Sequence, residues 1–223
     1  KLTMSIVSHL FLSRIKSGQF EDKQPTKGIT NQQRESILRA NMVDAKHADS
    51  FNKLVIQDAG GRMKPAHTFA SELVRKVSKT VKFKDMEPSQ VLLSIIENPR
   101  LWFEVPVIYL ERGNLKIREL IGVADTATYA ALSNFITPTG VYKIKEKVAA
   151  AQKKKVQDKF EKDILKIDKR IGLLYSAIGG GILKIYPVPG DENNTWVSQP
   201  ETSTANFKGT DSVFVRQSLP VYI

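Results

Sequence analysis

Cysteine is absent from the 223 residues. Its absence excludes a disulfide framework, a thiolate zinc site and a cysteine nucleophile, and leaves the redox compartment open. Histidine is nearly absent too. His9, His47 and His67 are not spaced as metal ligands, and neither H-E-x-x-H nor G-x-S-x-G occurs. His47, between Lys46 and Ala48, reads as an ordinary surface or capped residue. No window carries the apolar run of about 18 residues that a membrane span needs, and no repeat of about 20 to 50 residues is present. No catalytic or metal-binding residue is nominated, because carboxylate pairs can be drawn from any set of 23 acids and only coordinates show two of them facing a cleft.

What is present describes a folding chain. Apolar residues make up 41% and charged residues 26%, close to the average for a globular domain, and the length suffices for a proper core. The net charge of +11 is local: Lys143 to Arg170 holds eleven Lys or Arg against five Asp or Glu, a net of +6, whereas Ile185 to Ile223 nets −2. That unevenness argues against a chain that coats nucleic acid. The run Lys153, Lys154, Lys155 reads first as a solvated helix face. Its functional alternative is a basic surface for an acidic partner, nucleic acid or anionic lipid head groups.

The densest backbone instruction lies in Leu54 to Lys76. Leu54 to Ile56 has strand propensity, Gly60 and Gly61 can turn the chain with positive φ, and Pro65 suits the start of a helix. Phe69, Leu73 and Val77 then recur at helical spacing. Gln57, Asp58, Arg62, Lys64 and His67 remain around the turn with no apolar neighbours to bury them. The glycine spacing matches neither phosphate-binding pattern, and Pro65 removes a donor that an anion would use. The corner is therefore a tight connection with ordinary charges, or a place of partner recognition.

Along the chain, Leu2 to Ile15 reads as a core, docking or membrane-surface helix, Gly18 to Thr30 as a loop, and Asn31 to Leu54 as interrupted helix. Pro88 opens a helix that Asn98-Pro99 ends. Pro106 confines Val105 to Leu110 to an edge strand. Leu115 to Ile121 and Thr126 to Phe135 read as short helices. Val141 to Gly179 is the longest element, with Phe160, Ile164, Ile167, Ile171, Leu174 and Ile178 forming one apolar stripe. Ile182 to Tyr186 reads as a strand, Asp191 to Phe207 as a loop anchored by Trp196, and Asp211 starts a last helical segment. The expected fold is mainly α within the α+β class, with one long helix and a few short strands. Residues 1–46 form a helical extension and loop and 47–223 a single domain. Lys1 at one end and the apolar Leu219 to Ile223 at the other read as the cut ends of a longer protein.

Three phrases carry a family resemblance: HADSFNKLVIQDAGGRMKPAHTFASELVRKVS at 47–78, VLLSIIENPRLWFEVPVIYL at 91–110, and KIDKRIGLLYSAIGGGILKIYPVPGDENNTWVS at 166–198. They resemble the extracytoplasmic portion of cytochrome c biogenesis membrane proteins of the System II type, in which the haem-delivery and assembly components are fused. The resemblance implies a parent cytochrome c synthetase that moves haem across a bacterial membrane and joins it to a C-x-x-C-H sequence. This chain would be its soluble extracytoplasmic or periplasmic module, binding or scaffolding apocytochrome c beside the membrane-embedded remainder. The family's W-G-x-x-W-x-W-D loop is not in this sequence, where Trp102 and Trp196 stand alone. No haem ligand is carried onto His9, His47 or His67, so haem is expected to be handled by the parent and no cofactor or nucleic acid is expected on this piece. The partner-contact candidates are Gln57, Asp58, Arg62, Lys64 and His67.

Overall fold

The computed structural model describes residues 30–215 apart from 206, 210 and 214. The Leu2 to Ile15 stretch, nearly all of the loop before Thr30, His9 and the apolar C-terminal run lie outside the described residues. In chain order the elements are α1 (Asn31–Ala40), α2 (Ala45–Phe51), β1 (Val55–Gln57), β2 (Met63–Pro65), α3 (Ala66–Ser78), α4 (Pro88–Glu97), α5 (Pro99–Glu104), β3 (Ile108–Tyr109), α6 (Leu115–Ile121), β4 (Tyr129–Ala130), α7 (Lys145–Lys153), α8 (Lys159–Ile178), β5 (Lys184–Pro187) and β6 (Trp196–Ser198). Short 3-10 turns cover Leu132–Phe135 and Gln199–Ser203. The class is α+β, as expected. Two units divide the described chain: one is built from Arg100–Leu174 together with the chain up to Arg34, the other from Glu35–Pro99 together with the chain from Tyr175 onward.

The second unit is held by α4 and a four-stranded sheet. Every residue of α4 from Ser89 to Ile95 is buried, so the helix takes a central place that an amphipathic helix could not. Pro88 at its first turn lacks only an N–H that would have no helical partner. Gln90 ties the helix down at both ends of its side chain: its Oε1 accepts from the Glu87 backbone N–H at 3.0 Å, and its Nε2 donates to the Val43 carbonyl at 2.7 Å. Helix α3 packs against α4 and buries Ala70, Leu73, Val74 and Val77. The sheet runs β2-β1-β5-β6, all antiparallel. Gly61 makes the turn between β1 and β2 with φ 79°, a conformation that a side chain would strain.

In the first unit, Ile164, Ile167, Ile171 and Leu174 of the stripe are buried, with Trp102, Phe135 and Leu132 among the fully buried side chains. Two guanidinium groups organise the loops. Arg118, 5% exposed, donates to the carbonyls of Ala127, Glu111 and Asn114 at 3.0, 3.1 and 3.1 Å. Arg170 donates to the Tyr109 carbonyl at 2.8 Å and the Glu111 carboxylate at 2.6 Å, and its guanidinium lies 5.3 Å from the centre of the Tyr109 ring. Tyr142 donates to Asp168 Oδ1 at 2.8 Å. Burial, with the Asp168 carboxylate beside it, pushes the Tyr142 hydroxyl far above the usual phenol range.

Three expectations are corrected. Thr126 to Phe135 is not a helix: Ile108 and Tyr109 pair with Ala130 and Tyr129, and the Leu110 N–H donates to the Thr128 carbonyl, drawing a Thr-rich segment into strand. Val141 to Gly179 is not continuous. The Gln157 side chain donates to the Ala151 carbonyl and closes α7, and Asp158 and Glu161 exchange bonds with each other's backbone N–H to open α8, a reciprocal cap of acidic residues. Asp191 to Phe207 contains β6, whose Trp196 pairs with Pro187.

Candidate functional site

Within the second unit, β1, β5, β6 and the residues Phe207, Asp211 and Val215 line a cleft of about 320 Å³, in the size range of small-ligand and side-chain pockets. Its wall is apolar, with Val55, Tyr186, Pro187, Pro189, Trp196 and Phe207 prominent, and among the described residues Asp211 is the one charged residue that lines it. The alternation of a strand places Val55, 47% exposed, towards this space while Ile56, fully buried, faces the core. Ile185, Tyr186 and Pro187 line the cleft in succession. A register shift between Lys184 and Tyr186 breaks the alternation that would otherwise turn one of them away.

Gln57 sets the position of Trp196. It is 6% exposed, and its Nε2 donates to the carbonyls of Asn194 at 2.9 Å and Gly61 at 3.2 Å while its Oε1 accepts from the Trp196 backbone N–H at 2.8 Å. One amide thus ties the β1–β2 turn to the start of β6. The sequence expectation of Gln57 as a solvent-facing corner residue is overturned: it is a buried staple.

Asp58, Arg62 and Lys64 of the corner form a charge relay beside it with Glu72 and Lys76. Asp58 Oδ1 accepts from the backbone N–H groups of Gly60 at 2.8 Å and Arg62 at 3.1 Å, and its Oδ2 pairs with Lys64 Nζ at 3.0 Å and Arg62 Nε at 3.4 Å. Lys64 Nζ also reaches Glu72 Oε1 and Oε2 at 3.1 and 3.0 Å, and Lys76 joins Glu72 at 3.2 Å. The Arg62 N–H bond first, and Lys64 second, hold the Asp58 carboxyl well below its usual range. Glu72 is lowered chiefly by Lys64, and Lys64 is raised chiefly by Glu72 and then Asp58. Arg62, with 77% of its side chain exposed, and the exposed His67 present their polar groups to solvent. His67 Nε2 lies 3.1 Å from Thr68 Oγ1. His47 is exposed at the start of α2.

The relay makes a pH prediction. Carboxylates with lowered folded pKa contribute stability above their unfolded values, and this stability is lost as pH falls through the folded ones. Lys64→Met is therefore expected to be less stable than wild type at pH 7, and the gap should begin to narrow only as pH falls below the usual carboxylate range, closing as it passes the lowered folded values of Asp58 and Glu72. Urea midpoints at pH 7 and in steps down to the acid limit measure it. A gap of unchanged size would mean that Lys64 stabilises by packing its stem.

On the first unit, Lys153, Lys154 and Lys155 are exposed where α7 ends, and Lys154 pairs with Glu161. Among the described residues, no group of three or more His, Asp or Glu is placed to hold a metal ion, and no helix is long and apolar enough to cross a membrane. The arrangement can bind an apolar group. The cleft was not foreseen in the sequence, although Pro187-Val188-Pro189-Gly190 followed by Trp196 is the one Pro-rich and aromatic loop in the chain.

No protein-family model matches the chain. Protein NrfI of Wolinella succinogenes is 30% identical to it over 154 residues, which cover 68% of this chain and 17% of the relative. The chain thus spans less than a fifth of the length of that relative.

Proposed function

We propose that this chain is the client-binding module of a cytochrome c maturation protein, and that its cleft receives an apolar stretch of the apocytochrome. The similarity to NrfI supports a part in cytochrome c maturation in general. The finer reading joins to it the family phrases at 47–78, 91–110 and 166–198: an extracytoplasmic domain of a membrane-bound System II synthetase, assisting covalent haem attachment while the membrane-embedded remainder handles haem. The observation that carries the binding role is the cleft itself. Trp196 and Val55 are left partly in water beside Phe207 and two prolines, and apolar surface of that kind is stabilised when a partner covers it.

The two tryptophans separate the readout. Trp102 is fully buried in the first unit, whereas Trp196 lines the cleft. Titrating the chain with a peptide that carries C-x-x-C-H and its apolar flank is expected to shift Trp196 emission to the blue in a Trp102→Phe background. Trp196→Ala, followed by calorimetry, should weaken the peptide about 30-fold, the size of a binding hot spot. Binding of equal strength by a peptide whose apolar residues are replaced with serine would remove the cleft from the proposal, and no binding at all would remove the client role.

A further inference from the structure

The end of the first unit at the start of α8 combines three features that the client-binding role does not use. Val156, in the break between α7 and α8, is 87% exposed, and Leu115, at the first position of α6, is 54% exposed. Both segments abut the first turns of α8: Lys159 Nζ donates to the Arg112 carbonyl at 2.8 Å, and Asn114 Nδ2 donates to Asp163 Oδ2 at 3.0 Å. Charge around them is largely sorted by sign. Glu161 and Asp163 are buried and Asp168 accepts from Tyr142, while every lysine from Lys145 to Lys169 is exposed, with Glu146 and the helix cap Asp158 the exposed acids among them. Lys153, Lys155 and Lys162 carry no ion pair among the described residues.

We infer that this end is a contact surface for anionic lipid head groups, with Val156 and Leu115 entering the boundary between head groups and acyl chains. An apolar tip set among lysines gains twice at such a boundary: the side chain leaves water, and the ammonium groups meet phosphate while their stems lie along the apolar layer. A nucleic acid would use the lysines but offers nothing to a valine so far out in solvent. The surface is independent of the cleft, so either can fail without the other.

Flotation of the full chain with vesicles tests it. Binding is expected to vesicles of equimolar phosphatidylglycerol and phosphatidylcholine, to be absent with phosphatidylcholine alone, and to fall as salt is raised. The Lys153→Gln/Lys155→Gln pair should lower the partition coefficient about 25-fold, at about fivefold per lysine. Val156→Asn should lower it several-fold. Thermal midpoints should not move for these variants, because the side chains are exposed in the folded chain. Failure to bind the anionic vesicles overturns the inference. So does binding indifferent to Val156→Asn, or tighter binding to an RNA or DNA duplex that is equally indifferent, which would leave a charge-only surface for another polyanion.

Discussion

Gln57→Leu is expected to lower the unfolding free energy of the second unit by about 2–4 kcal/mol and to abolish peptide binding in the cleft. The substitution keeps the volume and removes every polar atom of the staple. The Trp196 N–H and the Asn194 and Gly61 carbonyls then lose their partner, and each such group costs roughly 1–3 kcal/mol where water cannot replace the bond. Trp196 emission in a Trp102→Phe background should move to the red in the folded variant, as the start of β6 is freed. Gln57→Glu separates the two halves of the amide: its oxygen can still accept from Trp196, but a carboxylate faces the Asn194 and Gly61 carbonyls where an NH2 had donated. It should fall between wild type and the leucine variant near neutral pH. A leucine variant within about 0.5 kcal/mol of wild type, the range of an inconsequential surface change, would mean that β6 is fixed by its ladder with β5 alone.

Arg170→Met is expected to destabilise the first unit by about 3–5 kcal/mol, the range for removing one partner of a buried ion pair. Arg170 is 5% exposed, and its removal leaves the Glu111 carboxylate, 21% exposed, without its cation and the Tyr109 carbonyl without its donor. Emission from Trp102 in a Trp196→Phe background reports this unit in urea. Arg170→Lys keeps the charge but has no planar fork to reach a carbonyl and a carboxylate together, so it should recover only part of the loss. The decisive variant is the double one. Adding Glu111→Leu to Arg170→Met removes the stranded carboxylate and should restore much of the stability, since an apolar pair of similar volume often replaces a buried ion pair without loss. A double variant as unstable as the sum of the two singles would show that the guanidinium acts through Tyr109 instead.

These two residues also mark what could be read from the sequence. The stripe Ile164, Ile167, Ile171, Leu174 was legible because each residue's burial follows from neighbours three or four positions away. The start of α8 was legible in principle: Asp158 and Glu161 are the ends of a capping pair, obscured because Lys153 to Lys155 extend the helical composition through the break. The strands were legible only in part: β1, β3 and β5 fall within or beside the strands read at Leu54 to Ile56, Val105 to Leu110 and Ile182 to Tyr186, whereas β2, β4 and β6 were not read. Met63 to Pro65 is a strand only because Gly61 returns it onto β1, and Tyr129-Ala130 only because Ile108-Tyr109 lies beside it. Gln57 was misread for the same reason, its partners Asn194 and Trp196 being 137 and 139 residues further on. A polar residue next to a turn gives no local sign that a distant backbone will cover it.

That separation also sets an order of events as the chain is made. Everything in Arg100–Leu174 is available to fold once Leu174 has emerged, whereas β1 waits for β5 and β6 and holds an unpaired edge and an uncovered Val55 until about 140 further residues have been synthesised. Closing so long a loop is slow compared with the local contacts of α3 and α4. The nascent chain therefore passes through a stage with one unit finished and the other half-built, its sheet edge open to any extended polypeptide nearby. A ribosome stalled after Leu174 would hold that stage, with Trp102 buried and the staple at Gln57 still open.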